Sequence, residues 1–358
     1  MSKVEHPGLV WYYLKNRIES EMIVLAVESS CDDTGAALIE DGRRILSNCL
    51  SSQDEVHKRY GGVVPELASR RHLENILPVI KGGLDQAHRS LDQVDAVAVT
   101  RGPGLVGSLL VGIMAAKAIA HAKGLPLVGV NHLMGHLLAI FLEQEVSFPF
   151  IGIVASGGHT SLYLTEGFTT FRALGKTKDD AAGEAFDKVA KYLGLGYPGG
   201  IAIEQLARRG NPAAIPFPRA YLAKDSLDFS FSGIKTAVVN HCRAHPPIDD
   251  GIADIAASFQ EAVVDVLVAK VVLAARQCKV ARVVVAGGVA SNNRLRERLK
   301  KEGKENGIDA YFPSPYLCRD NAAMIGVAGY HLLKEGKKDA LDISALSRWP
   351  LGQEMKKD

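Results

Sequence analysis

The chain of 358 residues carries 42 Lys and Arg against 40 Asp and Glu, a formal net charge of +2, so any polyanionic partner must be met by a local patch and not by the charge of the whole. With 47% hydrophobic and 23% charged residues it reads as a globular protein with ample core, long enough for two domains of ordinary size. No apolar run approaches the roughly 18 residues that span a bilayer, which excludes a membrane-embedded class on this reading.

The five cysteines, Cys31, Cys49, Cys242, Cys278 and Cys318, are irregularly spaced and contain no C-x-x-C. That is the pattern of reduced thiols in a cytoplasm, without a disulfide framework. Residues 1–21 lack the apolar stretch and small-residue cleavage site of a signal peptide. Met22 directly precedes the first apolar run, so residues 1–21 are expected to be a leader outside the fold, disordered or an upstream start.

From Met22 the chain reads as strand (Ile23 to Val27), polar turn (Glu28-Ser29-Ser30-Cys31-Asp32-Asp33-Thr34-Gly35), strand (Ala36 to Ile39), an Asp41-Gly42 hairpin and a third strand from Ile45. The acids, hydroxyls and glycine of the turn suit an ordinary β-turn or a loop that contacts phosphate and metal. Tyr60-Gly61-Gly62-Val63-Val64-Pro65-Glu66-Leu67-Ala68-Ser69-Arg70 leads into a helical pattern towards His88, with Pro65 near the helix start. Asp95 to Thr100 is a buried strand that runs through the glycine-rich Arg101-Gly102-Pro103-Gly104-Leu105 into a small-residue helix ending near His121. Such a turn either offers N–H groups to an anion or only packs tightly. Neither a Walker sequence nor G-x-G-x-x-G is present, which disfavours nucleotide binding of those two kinds.

Asn131-His132-Leu133-Met134-Gly135-His136 follows. On a helix, His132 and His136 stand one turn apart, about 5–6 Å between Cβ atoms, close enough for both imidazoles to reach one metal ion. The alternative is a plain surface helix. A third ligand must come from elsewhere, and Asp320 in Cys318-Arg319-Asp320-Asn321 is the candidate, although an Asp before a helix also serves as an N-cap.

The opening pattern then returns: strand (Phe150 to Ala155), turn (Ser156-Gly157-Gly158-His159-Thr160), strand (Ser161 to Leu164) and a third run near Phe168. Further on are a helix over Asp179 to Lys188, Tyr197-Pro198-Gly199-Gly200 with a helix carrying Glu204, and Phe229 to Thr236 before another helix. A long helix follows from about Ile252 to Cys278, then the strand Val283 to Ala286 ending in Gly287-Gly288-Val289-Ala290-Ser291-Asn292. Arg294, Arg296, Arg298, Lys300 and Lys301 ride on the next helix, as a solvated face or a nucleic-acid contact. Two copies of strand, polar turn, strand suggest two related α/β domains. The layout resembles the actin, sugar-kinase and Hsp70 superfamily, two RNase H-like domains whose turns hold phosphate in an interdomain cleft.

Taken in order, the first turn, Tyr60 to Arg70, Gly102 to Leu105, the two histidines, Ser156 to Thr160, Gly287-Gly288-Val289 and Arg319-Asp320-Asn321-Ala322 resemble the tRNA N6-adenosine threonylcarbamoyltransferase family, TsaD in bacteria, over about Met22 to Leu333. The resemblance implies transfer of threonylcarbamoyl from threonylcarbamoyl-AMP to N6 of the adenosine just 3′ of the anticodon, in tRNAs reading codons that begin with A, with release of AMP. It implies one divalent ion, Fe2+ first and Zn2+ second, on His132, His136 and Asp320. It implies an adenylate held by Ala155, Ser156, Gly157, Gly158, His159, Asp187, Gly200, Glu204 and Asn292. The implied lobes are residues 22–131 plus 322–346 and residues 132–321. The implied partners are tRNA, a TsaB-like paralogue and a TsaE-like ATPase, in the cytoplasm and without a membrane. Ser29, Asp33, Ile201 and Glu204 depart from the family pattern, in which Thr, Glu, Pro and Asp are commoner; Glu204 can still accept ribose hydroxyl hydrogen bonds.

Two imidazoles and a carboxylate leave coordination positions open for substrate oxygens. Asp32 and Asp33 are the candidate bases for the adenine amine. The phosphate backbone of tRNA falls to Lys58, Arg59, Arg70, Arg71 and the Arg294 to Lys301 helix. A zincin-type metalloprotease is disfavoured, because Leu133 stands where its general-base Glu is required. A small-molecule kinase of the same fold and a non-catalytic nucleotide-binding scaffold are the other readings.

Overall fold

The computed structural model describes residues 21–246 and 251–352; the leader expected over residues 1–21 lies almost wholly outside the described residues. Near-continuous apolar runs become strands buried on both faces, which requires helices on each side. The first sheet contains β1 (Ile23–Glu28), β2 (Asp33–Glu40), β3 (Arg44–Ser52), β4 (Ala96–Gly102) and β5 (Leu127–Asn131) in the order β3-β2-β1-β4-β5. The second contains β6 (Phe150–Ala155), β7 (Thr160–Thr165), β8 (Phe171–Lys176), β9 (Arg282–Ala286) and β10 (Asp309–Tyr311) in the matching order β8-β7-β6-β9-β10. In each sheet the first three strands pair antiparallel and the last two join in parallel. The three-residue connection Asp41-Gly42-Arg43 takes positive φ at Asp41 (52°) and Gly42 (66°), the two left-handed positions of a type I′ turn, and Arg43 N donates to Glu40 O. β2 starts at Asp33, earlier than the apolar pattern indicated, because Asp33, Thr34 and Gly35 already pair with Ser52, Ser51 and Leu50 of β3.

The helices, in order, are α1 (Asp54–Lys58), α2 (Pro65–Gln86), α3 (Val106–Lys123), α4 (His132–Leu138), α5 (Ala182–Tyr192), α6 (Gly199–Ala207), α7 (Ser232–Ala244), α8 (Gly251–Cys278), α9 (Asn293–Glu305), α10 (Pro315–Cys318) and α11 (Ala322–Lys334). The period-2 alternation of a strand sorts the first sheet's side chains: Leu25, Val27, Leu38, Val97 and Val99 join the core under α2 and α3. Val24, Ala26, Ile39, Ala98 and Val128 face α11. The same inner core runs on through Leu133, Leu137 and Leu138 of α4 to Val154 and Tyr163 of the second sheet. α4, buried along its whole length, is therefore the element between the sheets. The outer face of the second sheet packs against α5, α6, α7 and α8, around Phe186, Phe259, Val263 and Leu267.

Segment 339–346 returns to the first sheet, where Asp339 N donates to Leu127 O, Leu346 N donates to Arg101 O, and Ile343 joins the core. One helix among the described residues, α3, is long and apolar enough to cross a membrane by length and composition, which corrects the expectation of no such run. Its Leu109, Ile113, Ala116 and Ala120 are core residues of the first lobe.

α11 lies flat on β1, β2 and β4 because it is built of small residues. A Cβ added at Gly326 would strike Ile39 and approach Ala26, and one at Gly329 would strike Ala98. Gly to Ala in a free helix gains about 1 kcal/mol, but overpacking a closed core costs about 1–3 kcal/mol, and Ile39 is fully buried and branched at Cβ. Gly326→Ala is accordingly expected to lower the melting temperature in scanning calorimetry. An unchanged or higher value would show that the interface has room.

Candidate active site

α4 starts where it does because Asn131 caps it: Oδ1 accepts from Leu133 N at 3.0 Å and Met134 N at 3.4 Å, while Nδ2 donates to Trp349 O at 2.9 Å. His132 then occupies the first helical position and His136 the next turn, their rings 4.7 Å apart and nearly perpendicular. Asp320 Oδ1 lies 3.1 Å from His136 Nε2 and 3.5 Å from His132 Nε2. One donor atom from each of the three falls within 4.8 Å of the others, so they form a group able to hold a single metal ion. The competing role for Asp320 is filled elsewhere: Asn321 caps α11, accepting from Met324 N at 3.1 Å. The Asp320 carboxylate is left facing the imidazoles.

The group suits a cation. His132 Nδ1 stands 3.1 Å from Glu28 Oε2, so both ring Nε2 atoms face Asp320, and His136 Nδ1 is buried without a partner among the described residues. Burial pushes the His132 pKa down, but Asp320 and Glu28 outweigh it and raise it to about 10. Burial, with His132 beside it, lowers that of His136. Asp320 is held well below its ordinary value, because the attraction of His132 overcomes burial. Two imidazoles and an oxygen are the donor set of zinc and of non-haem iron.

The first turn faces this group. Asp32 lies past the end of β1, its Oδ2 3.4 Å from Tyr197 Oη on the other lobe. Burial and then Asp320 raise its pKa. Asp33 is buried, with Oδ1 unpartnered among the described residues and Oδ2 3.7 Å from Arg319. Burial, Asp320 and Asp32 push its pKa to about 8. Arg319 also donates to Asp54 at 2.9 Å.

The second turn is the counterpart after β6. Ala155 ends the strand; Ser156 N donates to His159 O at 2.8 Å and Ser156 Oγ accepts from His159 N at 3.2 Å. Gly157 and Gly158 are exposed, and a Cβ added at either, or at Gly200 or Gly288, would meet nothing within 4 Å. These open positions let a ligand approach the backbone. The His159 pKa is lowered to about 4 by burial and then by His132 and His136. Asp187 on α5 accepts from Gly199 N at 2.8 Å, and burial, with Asp32 and Asp54, raises its pKa to about 6. The helix expected from Asp179 begins at Ala182, because Asp179 instead accepts from Ser230 Oγ, Phe231 N and Ser232.

Glu204 on α6 lines a cavity of about 230 Å3 with Gln260, Glu261, Asn293 and Arg294. Its Oε1 accepts from Asn293 N at 3.1 Å and Nδ2 at 2.6 Å. Asn292 sits beside it with its side chain engaged: Oδ1 caps α9 through Leu295 N at 3.0 Å, and Nδ2 donates to Gln260 at 2.7 Å.

Two segments that the sequence leaves open between an anion contact and a structural role have their groups engaged within the protein. In the turn after β4, Leu105 N donates to Ser30 O and Gly104 packs on Ser30, so this turn is a packing joint. On α9, Arg294 binds Glu261, Arg298 binds Glu261 and Asp265, and Arg296 donates to Ala290 O and Pro313 O. These three guanidinium groups are engaged by acids of α8 and by backbone carbonyls before and after α9.

The family model described as TsaD: tRNA N6-adenosine threonylcarbamoyltransferase matches residues 44–327. The chain belongs to the TsaD family. A tRNA N6-adenosine threonylcarbamoyltransferase of Syntrophus aciditrophicus is 55% identical over 333 residues, covering 92% of this chain and 98% of that protein. One of Geobacter metallireducens is 55% identical over 332 residues, covering 92% and 97%. As a TsaD family member the chain is a transferase that carries threonylcarbamoyl to N6 of a tRNA adenosine. Among solved structures, full-length HypF in its phosphate- and nucleotide-bound form superposes with a TM-score of 0.62 at 16% identity, covering 88% of this chain and 56% of that one. Component A of the (R)-2-hydroxyglutaryl-CoA dehydratase of Acidaminococcus fermentans gives 0.54 at 18%, covering 88% and 100%. At such identities the likeness speaks for fold alone, two α/β lobes built on five-stranded sheets of matching order.

If the three ligands act together, the purified chain should retain about one divalent ion, and His132→Ala or His136→Ala should each release it while the far-ultraviolet circular dichroism stays unchanged. Full metal occupancy in both variants, by elemental analysis, would remove the assignment.

Proposed function

We propose that the donor is threonylcarbamoyl-AMP, and that the acceptor is the adenosine 3′ of the anticodon in tRNAs reading codons that begin with A. The observation that carries this reading is the placement of the His132, His136 and Asp320 group between an acidic turn on one lobe and an open glycine turn on the other. His132, His136 and Asp320 would hold one ion, Fe2+ in preference and Zn2+ as the alternative, which supplies a Lewis acid for the donor's oxygens.

The chain's own groups do the rest. Backbone N–H groups at Gly157, Gly158 and Gly288 bind the phosphate and stabilise charge on the departing AMP. Glu204, beside Asn293 and Gln260, supports the nucleoside end, with Asp187, Gly200 and Asn292 along the way. The adenosine N6 attacks the carbamoyl carbon, the bond from that carbon to the phosphate oxygen breaks, AMP leaves with the electron pair, and the amine proton passes to a carboxylate acting as base. Of the two candidates Asp32 fits better, since it faces the opposite lobe while Asp33 is buried beside Arg319. A displacement assay with synthetic threonylcarbamoyl-AMP and tRNA, read as modified nucleoside after digestion, tests the reaction. Asp32→Asn should lower turnover by two orders of magnitude or more, and undiminished turnover would move the base elsewhere.

The partner set includes a TsaB-like paralogue and a TsaE-like ATPase, in the cytoplasm. Support for a helical partner is the apolar row that two packed helices leave in solvent, Leu73 and Leu77 on α2 and Val106, Leu110 and Met114 on α3. For tRNA, Lys58, Arg70 and Arg71 pair among the described residues with exposed neighbours Glu55, Glu66 and Glu74, contacts weak enough for phosphate to replace. Reversing Arg70 and Arg71 to Glu should weaken tRNA binding and lower the log-log salt slope by roughly 0.7–0.9 per lost contact. An unchanged slope, with partners present, would place the tRNA surface elsewhere.

A further inference from the structure

One fully buried acid stands behind the metal group on the side away from Asp320. Glu28 is the last residue of β1 and is 0% exposed. Ser30 N donates to its Oε1 at 2.6 Å, Thr100 Oγ1 donates to its Oε2 at 2.7 Å, and His132 Nδ1 stands 3.1 Å from the same Oε2. Ser30 Oγ lies 3.2 Å from that ring nitrogen as well. An ionised carboxylate only accepts hydrogen bonds, so the nitrogen facing Glu28 carries a proton, and Nε2, on the Asp320 side, is the ring atom left to ligate an ion.

We propose that Glu28 is the positioning residue of the metal centre, holding His132 in the one tautomer that can ligate through Nε2 while its other oxygen anchors the first turn. The inference rests on the metal reading of His132, His136 and Asp320. One carboxylate thereby ties the ligand on α4 to the turn that presents Asp32.

The chemistry of the glutamine isostere separates this role from plain packing. A Gln side chain at this position has nearly the same volume but one oxygen and one NH2 group. With its oxygen on Ser30 N–H, the NH2 group faces Thr100 and His132. The imidazole must then accept at Nδ1, and its proton moves to Nε2, where an ion would bind. The Ser30 hydroxyl can donate to Nδ1 and reinforce that wrong form. With the amide flipped, NH2 opposes the Ser30 N–H inside a site without solvent, donor against donor. No orientation keeps both the Ser30 N–H bond and a proton on His132 Nδ1. A purely structural Glu28 would cost stability on substitution but leave the affinity of the folded protein for metal unchanged.

The test titrates Zn2+ into the full-length chain against a chromogenic chelator, and records the visible spectrum of the Co2+-loaded protein. Glu28→Gln is expected to raise the Zn2+ dissociation constant about 10–100-fold, to shift the Co2+ bands at saturation, and to keep the wild-type circular dichroism. Thr100→Val keeps the charge and the His132 contact but removes one anchor of the carboxylate, and should weaken Zn2+ binding by a smaller factor; it decides the question if Glu28→Gln does not fold. Wild-type affinity and unshifted bands in the folded variants would overturn the proposal. A wild-type chain that takes up neither Zn2+ nor Co2+ overturns the metal reading itself, and the proposal with it, and is thereby distinguishable.

Discussion

The burial of one two-turn helix governs the architecture around the cleft. α4 is enclosed between two sheets, and it brings two imidazoles into an interior otherwise made of Val, Leu, Ile and Ala. A polar ring in such a place requires partners, and the partners bring requirements of their own. Asp320 and Glu28 meet the rings; Thr100 and Ser30 meet Glu28. Strands β1 and β4, the helix α4 and the segment before α11 thus converge on a single polar knot. Moving any one of them exposes a buried charge, so the two lobes are joined at this point by electrostatics as well as by apolar contact.

Much of this arrangement was legible in the sequence, for reasons tied to periodicity. Unbroken apolar runs such as Ile23 to Val27 and Val283 to Ala286 specify strands covered on both faces, and Asp41-Gly42 specifies its hairpin. The repetition of strand, turn, strand in both halves carried the two-lobed fold, and the four-residue spacing of His132 and His136 carried one side of the metal group. What stayed hidden depends on distant neighbours. Glu28 read as the start of a polar turn, since two of the partners that explain its burial, Thr100 and His132, lie 72 and 104 residues away in sequence. Asp320 read equally well as a cap, until Asn321 took that place. The basic stripe of α9 read as a solvated face, because nothing local announces that Glu261 and Asp265 of α8 lie beneath it.

The acids of the cleft share one electrostatic condition. Asp32, Asp33 and Asp187 all prefer their protonated forms more than free carboxylates do, first because they are withdrawn from water and then because they, with Asp54 and Asp320, face one another. Arg319 is the counter-charge between Asp33 and Asp54. Asp33, at about 8, holds its proton through neutral pH, and Asp187, at about 6, releases it just below neutrality; carboxyl groups poised near the working pH are what proton transfer needs. His159, on the opposite turn, is pushed the other way and stays neutral.

The duplicated strand order places the β1–β2 turn and the β6–β7 turn in equivalent positions, yet their chemistry is opposite. One carries Asp32 and Asp33; the other carries Gly157 and Gly158, with space above the backbone. A phosphate entering the cleft therefore meets acids on one wall and open backbone on the other, whichever end of the molecule arrives first. The symmetry of the scaffold is broken by the residues of these two turns, and this gives the cleft a handed sense: an asymmetric anion finds room against one wall and carboxyl groups against the other.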